Sequence, residues 1–246
     1  MFDFKGKKAL ITGATRGIGK AVARAFLDRG ATVFGIYAAD NRAADTFRDE
    51  CGEKATNLHL FQCDVADPEQ VQSLFAEIET QFDTIDILVN NAGIRRDGVV
   101  AMMPQDDWQR VIDVNLTGTF NMSKQAVLLM VKQKYGRIIN ITSPMAYLGF
   151  AGQANYAASK AGQIGMMRAL SKEVAKRKIT VNCISPGFVD TDLLGDLTEE
   201  QFRSYKKMIP LNRFARPEEI ADSVLFLASD KAEYINGAVL DINGGL

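Results

Sequence analysis

The stretch Lys8-Ala9-Leu10-Ile11-Thr12-Gly13-Ala14-Thr15-Arg16-Gly17-Ile18-Gly19, running on into Lys20–Leu27, decides how the fold is read. Lys8–Thr12 is a short apolar run suited to a buried strand, and Lys20–Leu27 reads as a helix. Ala31–Tyr37 is a second strand-like run. Strand, glycine turn, helix and strand form the context in which a glycine pattern signals a dinucleotide site. Glycine lets the backbone turn tightly and lets a pyrophosphate approach the positive end of the helix. The gaps between Gly13, Gly17 and Gly19 run three residues and then one, unlike the common G-x-G-x-x-G. Packing alone also produces glycine-rich turns, so this motif needs support from elsewhere in the chain.

The same alternation continues outward. Leu58–Cys63, Ile85–Val89, Gly136–Ile141, Ile179–Ile184 and Ala238–Ile242 read as strands, and Arg42–Cys51, Pro68–Gln81, Pro104–Gln133, Gln153–Lys176 and Pro217–Leu227 as helices. Seven strands with crossover helices predict one α/β domain over residues 1–246, a doubly wound Rossmann-like parallel sheet with helices on both faces. Ligands of such sheets lie beyond the carboxyl ends of the strands, so each motif is expected just after a strand.

Tyr156-Ala-Ala-Ser-Lys160, preceded by Ser143, carries the chemistry. On a helix, Tyr156 and Lys160 stand one turn apart on one face. A phenol titrates near ~10 and is a poor proton donor or acceptor at neutral pH, but a neighbouring ammonium favours the phenolate. Ser143 offers a second hydroxyl for a carbonyl oxygen. The expected product of this arrangement is a proton donor for a carbonyl that receives a hydride. A half-buried packing tyrosine and a loop serine are the plain alternatives.

Composition limits the other possibilities. The chain has 246 residues and a net charge of −1, giving no broad basic surface for nucleic acid or membrane. Cys51, Cys63 and Cys183 lack metal or disulfide spacing and read as thiols in a reducing compartment. His59 is the lone histidine and reads as structural, so no metal is expected. No signal peptide or membrane-spanning run is found, which predicts a cytoplasmic protein.

Thr12–Gly19, Asp64-Val65, Asn90-Asn91-Ala92-Gly93, Asn115, Ser143, Tyr156-x-x-x-Lys160 and Pro186-Gly187 together resemble the short-chain dehydrogenase/reductase family over essentially the whole chain. Within it, Asn90–Asp97, Gly152–Gly165, Pro186–Asp192 and Ala221–Gly245 are most similar to bacterial beta-ketoacyl-acyl-carrier-protein reductases. The resemblance implies Tyr156 as general acid and Lys160 as the partner that lowers its pKa and holds the nicotinamide ribose. It implies Ser143 as the group steadying the carbonyl and Asn115 as the holder of a relay water. A helix-bending asparagine is the plain alternative at Asn115.

For the cofactor, the resemblance implies that Gly13–Gly19 cradle the pyrophosphate and Asn91, Ala92 and Gly93 meet the ribose and adenine side. Asp64 would bind adenine with Val65 packed on the ring. Pro186, Gly187 and Val189 would meet the carboxamide, with Thr191 nearby. A plain turn is the alternative for Asn91–Gly93. An N-cap is the alternative for Asp64, although Asp67 before Pro68 fits that task better. The second strand ends Tyr37-Ala38-Ala39 without the acid of NAD sites, and Arg16 supplies a cation, so NADP(H) is expected over NAD(H), with Asp40 near enough to leave NAD open.

The leading expectation is NADPH-dependent reduction of a beta-ketoacyl thioester on acyl carrier protein, as in fatty acid biosynthesis. A reductase of acetoacetyl-CoA, a dehydrogenase of a small alcohol or sugar, and a catalytically silent nucleotide-binding regulator are the alternatives. Lys134 and Arg177, with Lys132, Lys176 and Lys178 around them, fall where the resembled reductases carry a basic patch beside the active site for the acidic carrier. Solvated helix ends explain them equally well. Residues 190–216 are expected to form a lid over the substrate. Pro144 departs from easy transfer because it removes an amide and fixes φ beside Ser143, with Met145 and Tyr147 shaping the pocket. Apolar and small residues on more than one face of 104–133 and 153–176 call for a second buried contact, and the family implies a homotetramer.

Overall fold

The computed structural model describes residues 2–191 and 198–246. Its sheet has seven parallel strands: β1 (Lys8–Thr12), β2 (Thr32–Tyr37), β3 (Leu58–Gln62), β4 (Ile87–Asn90), β5 (Gly136–Ile141), β6 (Ile179–Pro186) and β7 (Val239–Ile242). The order β3-β2-β1-β4-β5-β6-β7 places a switch point between β1 and β4. Strands of a sheet covered on both faces need side chains that are apolar in both directions, and β1 provides them. Ala9 and Ile11 enter the core shared with α1 (Gly17–Leu27) and α9 (Pro217–Ala228). Leu10 enters the opposite core, shared with α3 (Pro68–Phe82), α5 (Gly118–Gln133) and α7 (Ala154–Val174). Phe26 on α1 is fully buried, which contributes about 1.5–3 kcal/mol.

Local chemistry sets the helix starts. Asp40 accepts from Ala43 N at 2.9 Å and caps α2 (Asn41–Cys51). Asp67 accepts from Glu69 N and Gln70 N and caps α3, with Pro68 at the position where its missing N–H costs nothing. Asp67, not Asp64, is therefore the cap.

The structure divides one expected helix and adds another. Pro104–Gln133 is not one helix: α4 (Gln105–Ile112) and α5 are joined by a π turn over Asp113–Thr117. A four-residue helix, α6 (Met145–Leu148), follows β5 and was not anticipated. Pro144 opens it at φ −61°, an ordinary helical start where a missing amide removes no bond. Within the expected lid, α8 (Glu199–Met208) carries a capping box between Thr198 and Gln201; residues 192–197 of that segment lie outside the described residues. No described helix is long and apolar enough to cross a membrane.

Candidate active site

Six predicted motifs sit just beyond strands at one edge of the sheet: Gly13 after β1, Ala38 after β2, Asp64 after β3, Asn91 after β4, Ser143 after β5 and Gly187 after β6. Asn115, Tyr156 and Lys160 do not follow strands. They are carried there by the π turn and by the start of α7.

The glycine loop is built for close approach. Gly13 and Gly17 have φ of 66° and 51°, which favour glycine. Ala14 N donates to Ile36 O at 3.0 Å, while Ala14 and Thr15 are buried. Thr12 Oγ1 accepts from both Asn91 N and Ala92 N at 2.9 Å, and Asn91 Nδ2 donates to Thr12 O at 2.9 Å. These bonds lock the turn after β4 to the end of β1. Thr191 Cγ2 lies 3.4 Å from where a Cβ on Gly17 would stand, which brings the turn after β6 over the loop. Helix α1 starts at Arg16 with no side-chain cap and no acidic residue in its first turn. Its first N–H groups and the positive end of its dipole therefore suit a dinucleotide pyrophosphate.

Around the outer end of the loop, Arg16 is exposed, and so are Ala38 and Asp40. One Asp40 oxygen is committed to capping α2. Asp64 Oδ2 accepts from Arg110 Nη2 at 2.8 Å and Oδ1 from Ala66 N at 3.0 Å. Val65 is buried against Gly118, whose added Cβ would stand 2.6 Å from Val65 Cγ2, and Val65 O accepts from Asn121. Val65 is thus fixed at the rim of the loop by its packing on Gly118. Gly187 permits another close approach, since a Cβ there would stand 2.8 Å from Asn243 Cα. Val189 is buried and bridges to Ala215.

Ser143, Tyr156, Lys160 and Asn115 converge. The Ser143 hydroxyl faces the Tyr156 phenol, and Lys160 Nζ stands 5.7 Å from the centroid of the Tyr156 ring. A Cβ on Gly93 would fall 3.4 Å from Asn115 Oδ1 and 3.6 Å from Lys160 Nζ, so Gly93 lies between those two groups. Asn115 Oδ1 accepts from Ile94 N at 2.8 Å, and Nδ2 donates to Ile94 O and Ser159 Oγ. Its carbonyl accepts from Thr119 Oγ1 and Gln163 Nε2, both at 2.7 Å. The π turn displaces this carbonyl from the regular helical ladder, which bends the helix and opens the oxygen to side chains.

Burial raises the Tyr156 phenol above its ordinary value, while the Ser143 hydroxyl and the Arg95 cation pull it down and Asp97 pushes it up. Burial also lowers Lys160 to about 8. Lys160 Nζ donates to Ile141 O at 2.8 Å, which ties its ammonium to the end of β5.

Sequence reasoning read Thr12 only as the end of a strand and gave no role to Ser159, Gln163, Arg95 or Asp97. Gln163 offered a signal, being a polar residue three positions after Lys160 and hence on its face. Ser159, Arg95 and Asp97 look like ordinary turn or helix residues. Met145 is buried, with its N–H donating to Ser143 Oγ at 3.3 Å, and the Tyr147 hydroxyl bonds Asp241. A cavity of about 250 Å³ lined by Phe188, Leu211, Arg213, Asp241 and Asn243 contains none of the four converging residues. Among the described residues no group of three or more His, Cys, Asp or Glu side chains could hold a metal ion.

Lys134 and Arg177 are not beside this site. Lys134 precedes β5 and Arg177 precedes β6, at the amino ends of the strands. The 21 residues of α7 separate that edge from Tyr156, roughly 30 Å at ~1.5 Å per residue. The parallel sheet thus overturns their expected place beside the site of the same chain.

A family model described as Enoyl-(Acyl carrier protein) reductase matches residues 13–246. The chain is 43% identical to 3-oxoacyl-[acyl-carrier-protein] reductase FabG of Aquifex aeolicus (strain VF5), over 98% of this chain and 98% of that protein. It is 43% identical to the protein of the same name from Escherichia coli (strain K12), over 99% and 98% of the two chains. The protein of that name from Staphylococcus aureus (strain Mu50 / ATCC 700699) is 42% identical, over 98% of each chain. The doubly wound sheet, the glycine turn into an uncapped helix and this likeness over nearly the whole length agree: the chain belongs to the short-chain dehydrogenase/reductase family.

Proposed function

We propose that this protein reduces a beta-ketoacyl thioester carried on acyl carrier protein to the beta-hydroxyacyl form, using NADPH. The observation that carries the reading is the convergence of Ser143, Tyr156 and Lys160 beside Gly93, at the sheet edge where the uncapped start of α1 stands ready for a pyrophosphate. The names of the relatives supply the substrate class.

When bound, NADPH would supply the hydride to the substrate ketone. Gly13–Gly19 would hold its phosphates through backbone N–H groups, with Thr191 closing over Gly17. Ser143 Oγ would donate to the carbonyl oxygen, and Tyr156 would deliver the proton to that oxygen as charge develops on it. Lys160 would hold the ribose and share the phenol's charge. Asn115 pins Ile94 and, through Ser159, the start of α7, so it fixes the distance between the turn after β4 and the phenol.

For cofactor preference, the exposed Arg16, the absence of an acid at the end of β2 and the employment of Asp40 as a cap support NADP. Arg16→Ala is expected to weaken NADPH binding about tenfold or more while barely changing NADH, since one charged hydrogen bond is worth roughly 1.5–3 kcal/mol. Fluorescence titrations with both cofactors read this; equal losses would sink the NADP assignment.

A single domain over 1–246 and a cytoplasmic homotetramer complete the proposal, with α8 (Glu199–Met208) covering the substrate as the described part of the expected lid. Phe120 and Leu128 on α5 are 50% and 55% exposed, which supports association through that helix. Light scattering showing only monomer would refute the tetramer. The activity itself is tested by following NADPH oxidation with beta-ketoacyl thioesters on acyl carrier protein and on coenzyme A, and with small carbonyl compounds. No turnover of any beta-ketoacyl thioester would end the reading.

A further inference from the structure

The segment Gly93–Gly98, which leads away from β4, lies along the first turns of α7. At its start Gly93 adjoins Lys160 Nζ, and Ile94 exchanges both backbone bonds with the Asn115 side chain at 2.8 and 3.0 Å. At its end, Arg96 O accepts from Asn155 Nδ2 at 2.9 Å, Asp97 Oδ2 accepts from Gln153 Nε2 at 3.2 Å, and Gly98 N donates to Gly152 O at 2.8 Å. The segment therefore runs against the direction of α7, from Lys160 back to Gly152. Tyr156 falls between those two anchors, and Arg95 stands at the middle of the segment.

Arg95 is held but not saturated. Its Nη2 lies 3.5 Å from Asp97 Oδ2, and its Nε is buried without a partner. Its neighbour Arg96 is drawn away by Asp107 on α4 at 3.1 Å. The charged and polar groups around Tyr156 are then Lys160 on its own helix, Ser143 from the turn after β5, and Arg95 and Asp97 from the segment laid along the first turns of α7. No pairing consumes Arg95 fully, because 3.5 Å to one carboxylate oxygen is a loose contact for a guanidinium.

We infer that Arg95 and Asp97 form a positioning pair that sets the charge balance at Tyr156, with Arg95 stabilising the phenolate and Asp97 both orienting Arg95 and opposing it. The inference deepens the proposed reduction and rests on it for its catalytic meaning. A donor that gives up its proton during the reaction needs its anion stabilised, and the Lys160 ammonium is tied to Ile141 O in this structure. Arg95 supplies a second cation from a different element. Because the Arg95 side chain is 28% exposed, solvent screens part of its effect.

The two members should act with opposite sign. Removing the cation disfavours the phenolate and moves the titration of Tyr156 up; removing the anion moves it down. Ultraviolet difference titration of the full-length protein reads phenolate directly, and subtracting the curve of Tyr156→Phe isolates this one tyrosine. Arg95→Gln is expected to shift that titration to higher pH, Asp97→Asn to lower pH, and Arg95→Lys to keep it near wild type. The alkaline limb of the kcat/KM profile with NADPH and a beta-ketoacyl thioester should move in the same directions. No shift, or shifts of the same sign in Arg95→Gln and Asp97→Asn, would overturn the pair. If Arg95→Gln does not fold, Asp97→Asn decides alone, and the absence of a downward shift overturns the inference. The optical titration needs no substrate, so opposite shifts without thioester turnover would uphold the pair and refute the proposed activity instead.

Discussion

Tyr156→Phe is expected to reduce turnover by roughly 10²–10⁴-fold, the range in which a positioned acid contributes, while NADPH binding changes little. The substitution removes one oxygen and leaves the ring where it is. The ring stands beneath Lys160 Nζ, and the residue is only half-buried, so the loss of the hydroxyl opens no cavity in the core. The Ser143 hydroxyl remains at the turn with Met145 N donating to it. Because the phenol acts on charge that develops in the transition state, kcat and kcat/KM should fall together with KM nearly unchanged. Steady-state kinetics with NADPH and a beta-ketoacyl thioester measure the split. A variant that equals wild type in every cofactor-dependent assay would favour the nucleotide-binding regulator over the enzyme.

The parts of this protein that were legible in advance are the ones encoded by local spacing. Lys8–Thr12 followed by Gly13, Gly17 and Gly19 announces its strand and turn because buried parallel strands need apolar runs and tight turns need glycine. Tyr156 and Lys160 share a helix face by arithmetic alone. The π turn at Asp113–Thr117 was not legible, since Val114-Asn115-Leu116 carries no helix breaker. Its cause is tertiary: Asn115 bonds Ile94, Ser159 and Gln163, none within the same helix. The misplacement of Lys134 and Arg177 has a different origin. Charge near a helix end is visible in sequence, but which end of the sheet that helix serves depends on strand direction, and a parallel sheet sends both to the edge opposite Ser143. Arg95 and Asp97 were hidden for the same reason as the π turn, because the partner of Asp97 on α7, Gln153, lies 56 residues away in the chain.

Gly19→Ala should cost both stability and cofactor affinity, although intrinsic helix preference argues the other way. Gly19 lies within α1 at an ordinary negative φ, where alanine is favoured over glycine by roughly 1 kcal/mol. The added Cβ, however, would stand 2.0 Å from Gly13 O and 2.8 Å from Gly13 C, atoms of backbone that cannot swing aside. It would also stand 2.5 Å from Asn91 Nδ2, which ties β4 to Thr12 O. Relief requires moving the turn after β1 away from α1, and overpacking of this kind costs about 1–3 kcal/mol. Breaking the Asn91 bond adds about 1 kcal/mol. The unfavourable terms exceed the helical gain, so the variant should be destabilised by about 1–3 kcal/mol in chemical denaturation. The same displacement re-aims the N–H groups of the loop, and NADPH affinity should fall by at least about tenfold, equivalent to one charge-assisted hydrogen bond. Titration of NADPH fluorescence separates the two effects when it is performed at a temperature where the variant remains folded. Wild-type affinity in a folded Gly19→Ala would mean that the turn does not approach the phosphates, and the glycine pattern would then serve packing alone.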